Sequence, residues 1–301
     1  MPRVVSFLPA GTEITYAIGA GPLLVGRSHE CDYPAEVQSL PVVSRPALQL
    51  ENLPQSEIDD AVARQLSNAG TLYTVDEELL RELAPDVILT QDLCQVCAPS
   101  GNELTAAIAG LPRVPEVVWL TPQSLAEIQD NIRAVGRATG REQAAERLVT
   151  EGAARVARTA AIAAGAQVRR VVFLEWVGPY FSAGHWVPEM IALAGGHDPL
   201  GNSGADSRRI SWEEVVAARP EIIVVAPCGY GLERATELAG GLPRIGTATV
   251  FAVDANAYFA RPGPRVSEGV ELLASLFHPD LFGSPNPDRA ARVALGKASV
   301  E

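Results

Sequence analysis

The feature that most narrows the possible folds is an interruption in a rhythm. Between about residues 124 and 164 the chain carries helix formers and no strand pattern, whereas on both sides short apolar runs alternate with amphipathic ones. Leu125, Ile128, Ile132 and Val135 fall at i, i+3, i+7 and i+10, one face of a helix. A continuous helix of about 40 residues would span on the order of 60 Å at 1.5 Å per residue. Gly136 and Gly140 are the places where it would bend or break.

On the N-terminal side, residues 4–7, 23–25, 87–90 and 117–119 read as strands. Residues 12–20 (with Thr12 as cap), 57–66, 76–84 and 102–109 read as helices. On the C-terminal side the strands are 171–175, 222–226 and 250–253, and the helices 186–194, 212–218, 232–239 and 265–277. Strands interleaved with helices imply a parallel sheet covered on both faces. The two stretches also match each other. In both an acidic helix stops at a proline, Pro85 or Pro220, and a carboxylate, Asp86 or Glu221, opens an apolar strand. Gly101-Asn102-Glu103 and Gly231-Leu232-Glu233 follow at similar distances, and the helix ends Ala17 to Gly21 and Ala192 to Gly196 correspond. The expected fold is therefore α/β: two similar, Rossmann-like parallel-sheet lobes joined by one long helix, with a ligand groove between them. Residues 1–120 form the first lobe, 121–166 the linking helix and 167–282 the second lobe. The tail, 283–301, has few large apolar groups and is expected to be frayed or loosely docked.

Composition removes several functions. The chain has 301 residues, 47% hydrophobic and 20% charged, as expected for a globular protein. Its 24 basic and 36 acidic side chains leave a formal net charge of −12 and no basic run, which disfavours nucleic acid and anionic lipid surfaces. No apolar run is long enough to cross a bilayer, and Met1 lies two residues from the first strand. As written, the expectation is a cytoplasmic monomer, or a periplasmic or membrane-associated one if a leader has been removed. Hydrolase elbow, phosphate loop and dinucleotide fingerprint are all missing from the sequence, so no catalysis and no required cofactor are expected.

In open α/β sheets ligands bind beyond the carboxyl ends of the strands, and here the loops at those ends hold the unusual chemistry. The segment after residues 171–175 brings Trp176, Tyr180, Phe181, His185 and Trp186 close together. Tyr230, Tyr258 and Arg261 follow later strands, and the first lobe offers Pro9, Tyr33 and Gln91. Aromatic planes with a few polar groups suit a large, flat organic ligand, although single aromatics could equally plug the core beneath the loop. Cys94 and Cys97 form a C-x-x-C pair open to three readings: structural, redox dithiol, or part of a metal site. His29 and His185 are further metal candidates, with capture by a backbone carbonyl as the competing account. Glu175 could orient a ligand amide or pair in the core, and Arg261 could hold a ligand edge or pair with Asp254.

The segments Ser6 to Glu13, Cys31-Asp32-Tyr33-Pro34, Pro85-Asp86-Val87-Ile88, Gly184 to Glu189 and Arg261 to Arg265 carry a resemblance. Together they resemble the substrate-binding proteins of ABC importers for cobalamin and ferric chelates, most closely the cobalamin branch. That resemblance implies two lobes joined by one rigid helix. It also implies a cobalamin-like, tetrapyrrole or iron-chelate ligand between the Tyr33 loop and the 176–186 loop, and a permease partner. It further implies one surface glutamate per lobe facing permease arginines, with Glu103 and Glu233 the best matches, although both residues could simply favour helix N-termini. The alternative function is an intracellular thiol-redox or metal-handling protein built on Cys94 and Cys97.

Overall fold

The computed structural model describes residues 1–50, 53–68, 71–92, 105 and 107–295. The chain folds as two compact units, Met1–Pro122 with Ala126–Glu151, and Gln123–Leu125 with Gly152–Glu301.

In the first unit the apolar runs become β1 (Val4–Ser6), β2 (Leu24–Ser28), β3 (Val42–Pro46), β4 (Tyr73–Val75), β5 (Val87–Thr90) and β6 (Glu116–Trp119). They lie in the order β4-β3-β2-β1-β5-β6, parallel throughout except for β3 with β4. Central strands covered on both faces need no alternation, which is why β1 and β5 are buried at every position. Phe7, Val43, Leu80 and Ile88 form the core with Val5. The helices are α1 (Pro9–Ala17), α2 (Gln55–Ser67), and α3 (Glu77–Leu83), whose first turn is capped by the Asp76 carboxylate. Helix α1 starts earlier than Thr12, because Pro9 at its first turn has a φ already set for a helix. Thr12 is no cap: its hydroxyl donates to the Cys31 sulfur at 3.0 Å. At Gly11 a Cβ would sit 2.9 Å from Ser6 Oγ and 3.1 Å from Leu89 Cβ, so glycine lets α1 press against β1 and β5. The strand order reverses at this point, β2 lying on one side of β1 and β5 on the other.

The expected long helix is two helices, α4 (Leu125–Thr139) and α5 (Glu142–Ala163). Gly140 adopts φ +67°, Arg141 N–H donates to Gly136 C=O at 2.7 Å, and Gly140 N–H donates to Arg137 C=O at 3.2 Å. That pair of bonds is the Schellman stop, which satisfies the last carbonyls of α4. Ala145 then comes so close to Gly136 that a Cβ there would lie 2.5 Å away. Helix α5 has 22 residues, about 33 Å at 1.5 Å per residue. The boundary between the units falls inside it, after Glu151.

The second unit contains β7 (Arg169–Val177), β8 (Tyr180–Ser182), β9 (Gly184–His185), β10 (Gly196–His197), β11 (Asn202–Ser203), β12 (Arg209–Ile210), β13 (Ile222–Val225), β14 (Thr249–Val253) and β15 (Ala290–Val293). Its sheet runs β12-β8-β7-β13-β14-β15, with β10 also paired to β7, while β9 and β11 make a small ribbon. Strands β7, β13 and β14 are parallel, whereas β8, β12 and β15 join antiparallel at the edges. The helices are α6 (Val187–Leu193), α7 (Trp212–Ala217), α8 (Leu232–Gly240), α9 (Ala255–Tyr258), α10 (Val266–Phe277) and α11 (Pro279–Phe282). The tail is docked over residues 290–293, contrary to expectation. Strand β15 pairs along β14, and Arg289 forms an ion pair with Glu268 at 3.0 Å.

The internal match extends to individual hydrogen bonds. Arg3 N–H donates to the Asp86 carboxylate and Arg170 N–H to that of Glu221, both at 2.9 Å. Arg3 Nε donates to Leu83 C=O and Arg170 Nε to Arg219 C=O. Ala84 and Arg219, each before its proline, both take positive φ. Gly19 and Gly195 terminate equivalent helices, also with positive φ. Each carboxylate thus ties the start of the central strand to its parallel neighbour, in both units.

Candidate functional site

The loops beyond the carboxyl ends of β7 and β13 bring together a pair of half-buried aromatic rings. Trp176, near the end of β7, and Tyr230, after β13, lie 5.7 Å apart between ring centroids at an interplanar angle of 33°. Both are half-buried, and burial pushes the Tyr230 hydroxyl above its ordinary pKa. A pair of tilted rings with partly open faces offers a flat apolar ligand an extended contact. Cys228, exposed, stands two residues before Tyr230, and its N–H donates to Glu175 C=O. The Glu175 carboxylate accepts the Gly184 N–H at 2.9 Å, which fastens the start of β9 to β7.

His185 ends β9 in a left-handed backbone conformation, φ +51°. Its Nδ1 lies 2.8 Å from Gln123 Oε1, and its ring stacks on Trp186 with centroids 5.6 Å apart. Burial lowers its pKa, and the Asp206 carboxylate, 3.9 Å from Nδ1, opposes this more weakly. Glu189, in the first turn of α6, accepts the Leu125 N–H at 2.9 Å. Gln123 and Leu125 are therefore both tied to the second unit.

Other expected ligand residues are placed differently. Trp186 is buried, with its indole N–H donated to Phe259 C=O at 3.0 Å, so it is a core residue. Tyr180 packs 5.2 Å from Trp212 against the apolar core of Val172, Leu174 and Val225. Phe181 lies under the Arg209 guanidinium at 5.7 Å, and Tyr258 is buried beneath Arg289 at 5.2 Å. Arg261 is half-buried just ahead of α10. Trp186 and Tyr258 are thus buried whereas Tyr180, Phe181 and Arg261 are half-buried, a distinction that the aromatic count alone does not give.

In the first unit Pro9 and Gln91 are buried at the carboxyl ends of β1 and β5, whereas Tyr33 is 49% exposed. The His29 ring rests 5.8 Å from Tyr73, with Nδ1 3.2 Å from Ser44 C=O, and burial lowers its pKa. That is the carbonyl-held histidine of the competing account. Glu233 is exposed in the first turn of α8. Cys94, Cys97 and Glu103 lie outside the described residues. Among the described residues no three His, Cys, Asp or Glu side chains come together as a metal site, and no helix is long and apolar enough to cross a membrane.

Comparison with known proteins accounts for this arrangement. The vitamin B12-binding protein of Salmonella choleraesuis (strain SC-B67) is 27% identical over 282 residues, covering 91% of this chain and 89% of that protein. The ABC transporter substrate-binding lipoprotein YvrC of Bacillus subtilis (strain 168) is 25% identical over 294 residues, 93% of this chain and 81% of that protein. Among solved structures, a periplasmic heme-binding protein from Pseudomonas aeruginosa superposes with a TM-score of 0.72 at 20% identity, covering 99% of this chain and all of that one. This last is a likeness of fold. Two α/β units of this make are a solute-binding architecture. The chain belongs to the periplasmic binding protein family, whose model matches residues 4–240. These relatives give no support to the thiol-redox alternative, and where their names state a location it is periplasmic or lipoprotein rather than cytoplasmic.

Proposed function

We propose that this chain is a non-catalytic solute receptor of an ABC importer, working outside the cytoplasm, and that its solute is a corrinoid or a ferric chelate. The observation that carries the reading is the half-buried Trp176–Tyr230 pair at the carboxyl ends of two central parallel strands. A macrocycle laid against those rings would gain from apolar burial and from favourable ring geometry without any chemical step. Glu233, exposed at a helix start, and its sequence counterpart Glu103 would meet basic residues of a permease. The vitamin B12-binding relative and the heme-binding structure both favour this ligand class.

Isothermal titration with cyanocobalamin, cobinamide, ferric heme and a ferric siderophore tests the proposal. One of them should bind with a Kd of about 1 μM or tighter, equivalent to roughly −8 kcal/mol. Replacing Trp176 with Ala should weaken that binding about tenfold or more, the loss expected for an aromatic anchor. Absence of binding for all four would overturn the assignment.

A further inference from the structure

The exposed apolar side chains of the second unit gather at one end of it. Among the described residues the large ones are Ile162, Val168, Val216 and Leu281, each between 47% and 58% exposed. Val168 immediately precedes β7, and Val216 lies in the last turn of α7, with β13 following. Ile162 is the penultimate residue of α5, and Leu281 belongs to α11. Because β7, β13 and β14 run parallel, their starts share one end, opposite the loops that carry Trp176 and Tyr230. Hydrogen bonds draw the four segments together there. The Gly195 carbonyl accepts the Arg169 N–H at 3.1 Å and lies 3.2 Å from His278 Nε2. A Cβ on Gly195 would stand 3.3 Å from the Ala163 Cβ. Arg170 Nε donates to Arg219 C=O, and Arg219 N–H to Val216 C=O.

Cations are interspersed with these side chains. Arg158 stands one turn before Ile162 on the same face of α5, Arg170 two residues after Val168, and Arg219 three after Val216, all exposed. None of the three forms an ion pair among the described residues, whereas Arg169 pairs with Glu221 at 3.2 Å. Arg244, exposed in the segment before β14, adds a fourth cation, against Asp280 as an exposed acid of this end. The sequence shows no basic run because these arginines come from separate segments, which only the fold assembles.

We propose that this end of the second unit is a docking face for an anionic lipid surface. The apolar side chains enter the headgroup boundary, and Arg158, Arg170 and Arg219 meet the lipid phosphates. A bilayer interface asks for protruding apolar groups within a cationic rim and requires no complementary shape. The net charge of −12 sharpens the choice, because the same lipids repel the acidic remainder and leave this face as the one that approaches. Strand β7, nine residues long, then holds Trp176 about 30 Å from the lipid, at roughly 3.3 Å per residue. The face is separate from the aromatic pair, so the proposal stands or falls apart from the receptor reading.

The full-length protein is mixed with vesicles of phosphatidylcholine alone, and with vesicles of two parts phosphatidylcholine to one part phosphatidylglycerol, and bound protein is separated by flotation. Binding to the anionic vesicles should be about tenfold or more the stronger, and should fall steeply as salt rises to about 1 M. The double substitution Arg170→Glu with Arg219→Glu should weaken it about 25-fold or more, at roughly fivefold for each arginine lost. Val168→Asp with Leu281→Asp should weaken it about tenfold or more. All four positions are exposed, so both double variants should melt with wild type and titrate solute as wild type does. Equal binding to the two kinds of vesicle overturns the proposal, as do variants that float with wild type. Variants that change the sedimentation of the protein without lipid would assign the face to a second copy of this chain, and overturn it too.

Discussion

The Asp198 carboxylate accepts backbone N–H groups from Phe173 in β7 at 3.0 Å and from Leu200 in its own turn at 2.9 Å. Burial still pushes its pKa up to about 6, against the lowering effect of those bonds and of His197. An acid whose folded-state pKa is raised stabilises the fold most when protonated. That contribution is complete below about pH 4 and is lost as the pH climbs through about 6, amounting to roughly 3 kcal/mol at 1.36 kcal/mol per pH unit. His29 and His185, with lowered pKa values, act in the opposite sense, since the unfolded chain takes up their protons first on acidification. The difference between wild type and Asp198→Asn isolates the aspartate. The variant should be less stable at pH 4.5, by about 1–3 kcal/mol from a mismatched buried acceptor. In urea titrations that gap should narrow between pH 4.5 and 7. A gap independent of pH would show that Asp198 titrates normally. Nothing in the sequence around Gly195-Gly196-His197-Asp198 announces this group, because its burial arises from β10 pairing with β7, a contact of distant segments.

At the scale of elements, the β9–β11 ribbon sets the geometry of His185, and it depends on a glycine. A Cβ on Gly184 would lie 2.3 Å from Ser207 N and 2.8 Å from Ser207 Cα, backbone atoms that have no side-chain freedom with which to yield. Gly184→Ala should therefore displace residues 205–208 and cost about 1–3 kcal/mol as an overpacked site. Loss of protection from hydrogen exchange at His185 and Ser182, whose N–H groups donate to Ala205 and Arg208, would locate the damage. A variant as stable as wild type would show that the loop gives way at no cost. Strands of two or three residues such as β8, β9, β11 and β12 carry too short a pattern to be read from sequence, so residues 176–186 read as one loop. The longer strands and helices were legible because their periodicity and proline stops act locally. The break at Gly140 was legible as a possibility, and the Schellman bonds decide it. Of the aromatic cluster, proximity in sequence was visible. Which rings face the core was not, since Trp186 and Tyr180 turn inward through partners more than 30 residues away.

For the whole molecule, the two units repeat one hydrogen-bonded frame: a carboxylate at the start of a strand, a positive-φ residue before proline, and an arginine closing on the preceding carbonyl. The match visible in the sequence is thus a match of mechanism, each unit fixing the register of its central parallel strands in the same way. The difference between the units lies in the tail. Strand β15 covers the edge of β14, Ala290 is buried, and Val293 and Leu295 pack on the core that includes Val250 and Leu242. Removing residues 284–301 would expose that apolar surface, withdraw Arg289 from Tyr258 and Glu268, and leave β14 with unpaired backbone groups. Burying one large apolar side chain is worth about 1.5–3 kcal/mol. The truncated chain should therefore lose about 3 kcal/mol and melt roughly 5–10 °C lower, by the scaling for domains of this size. Size-exclusion chromatography should show self-association through the open edge. Should the shortened protein melt with the full-length one and remain monodisperse, β15 would be an ornament, and the second unit would be complete at Gly283.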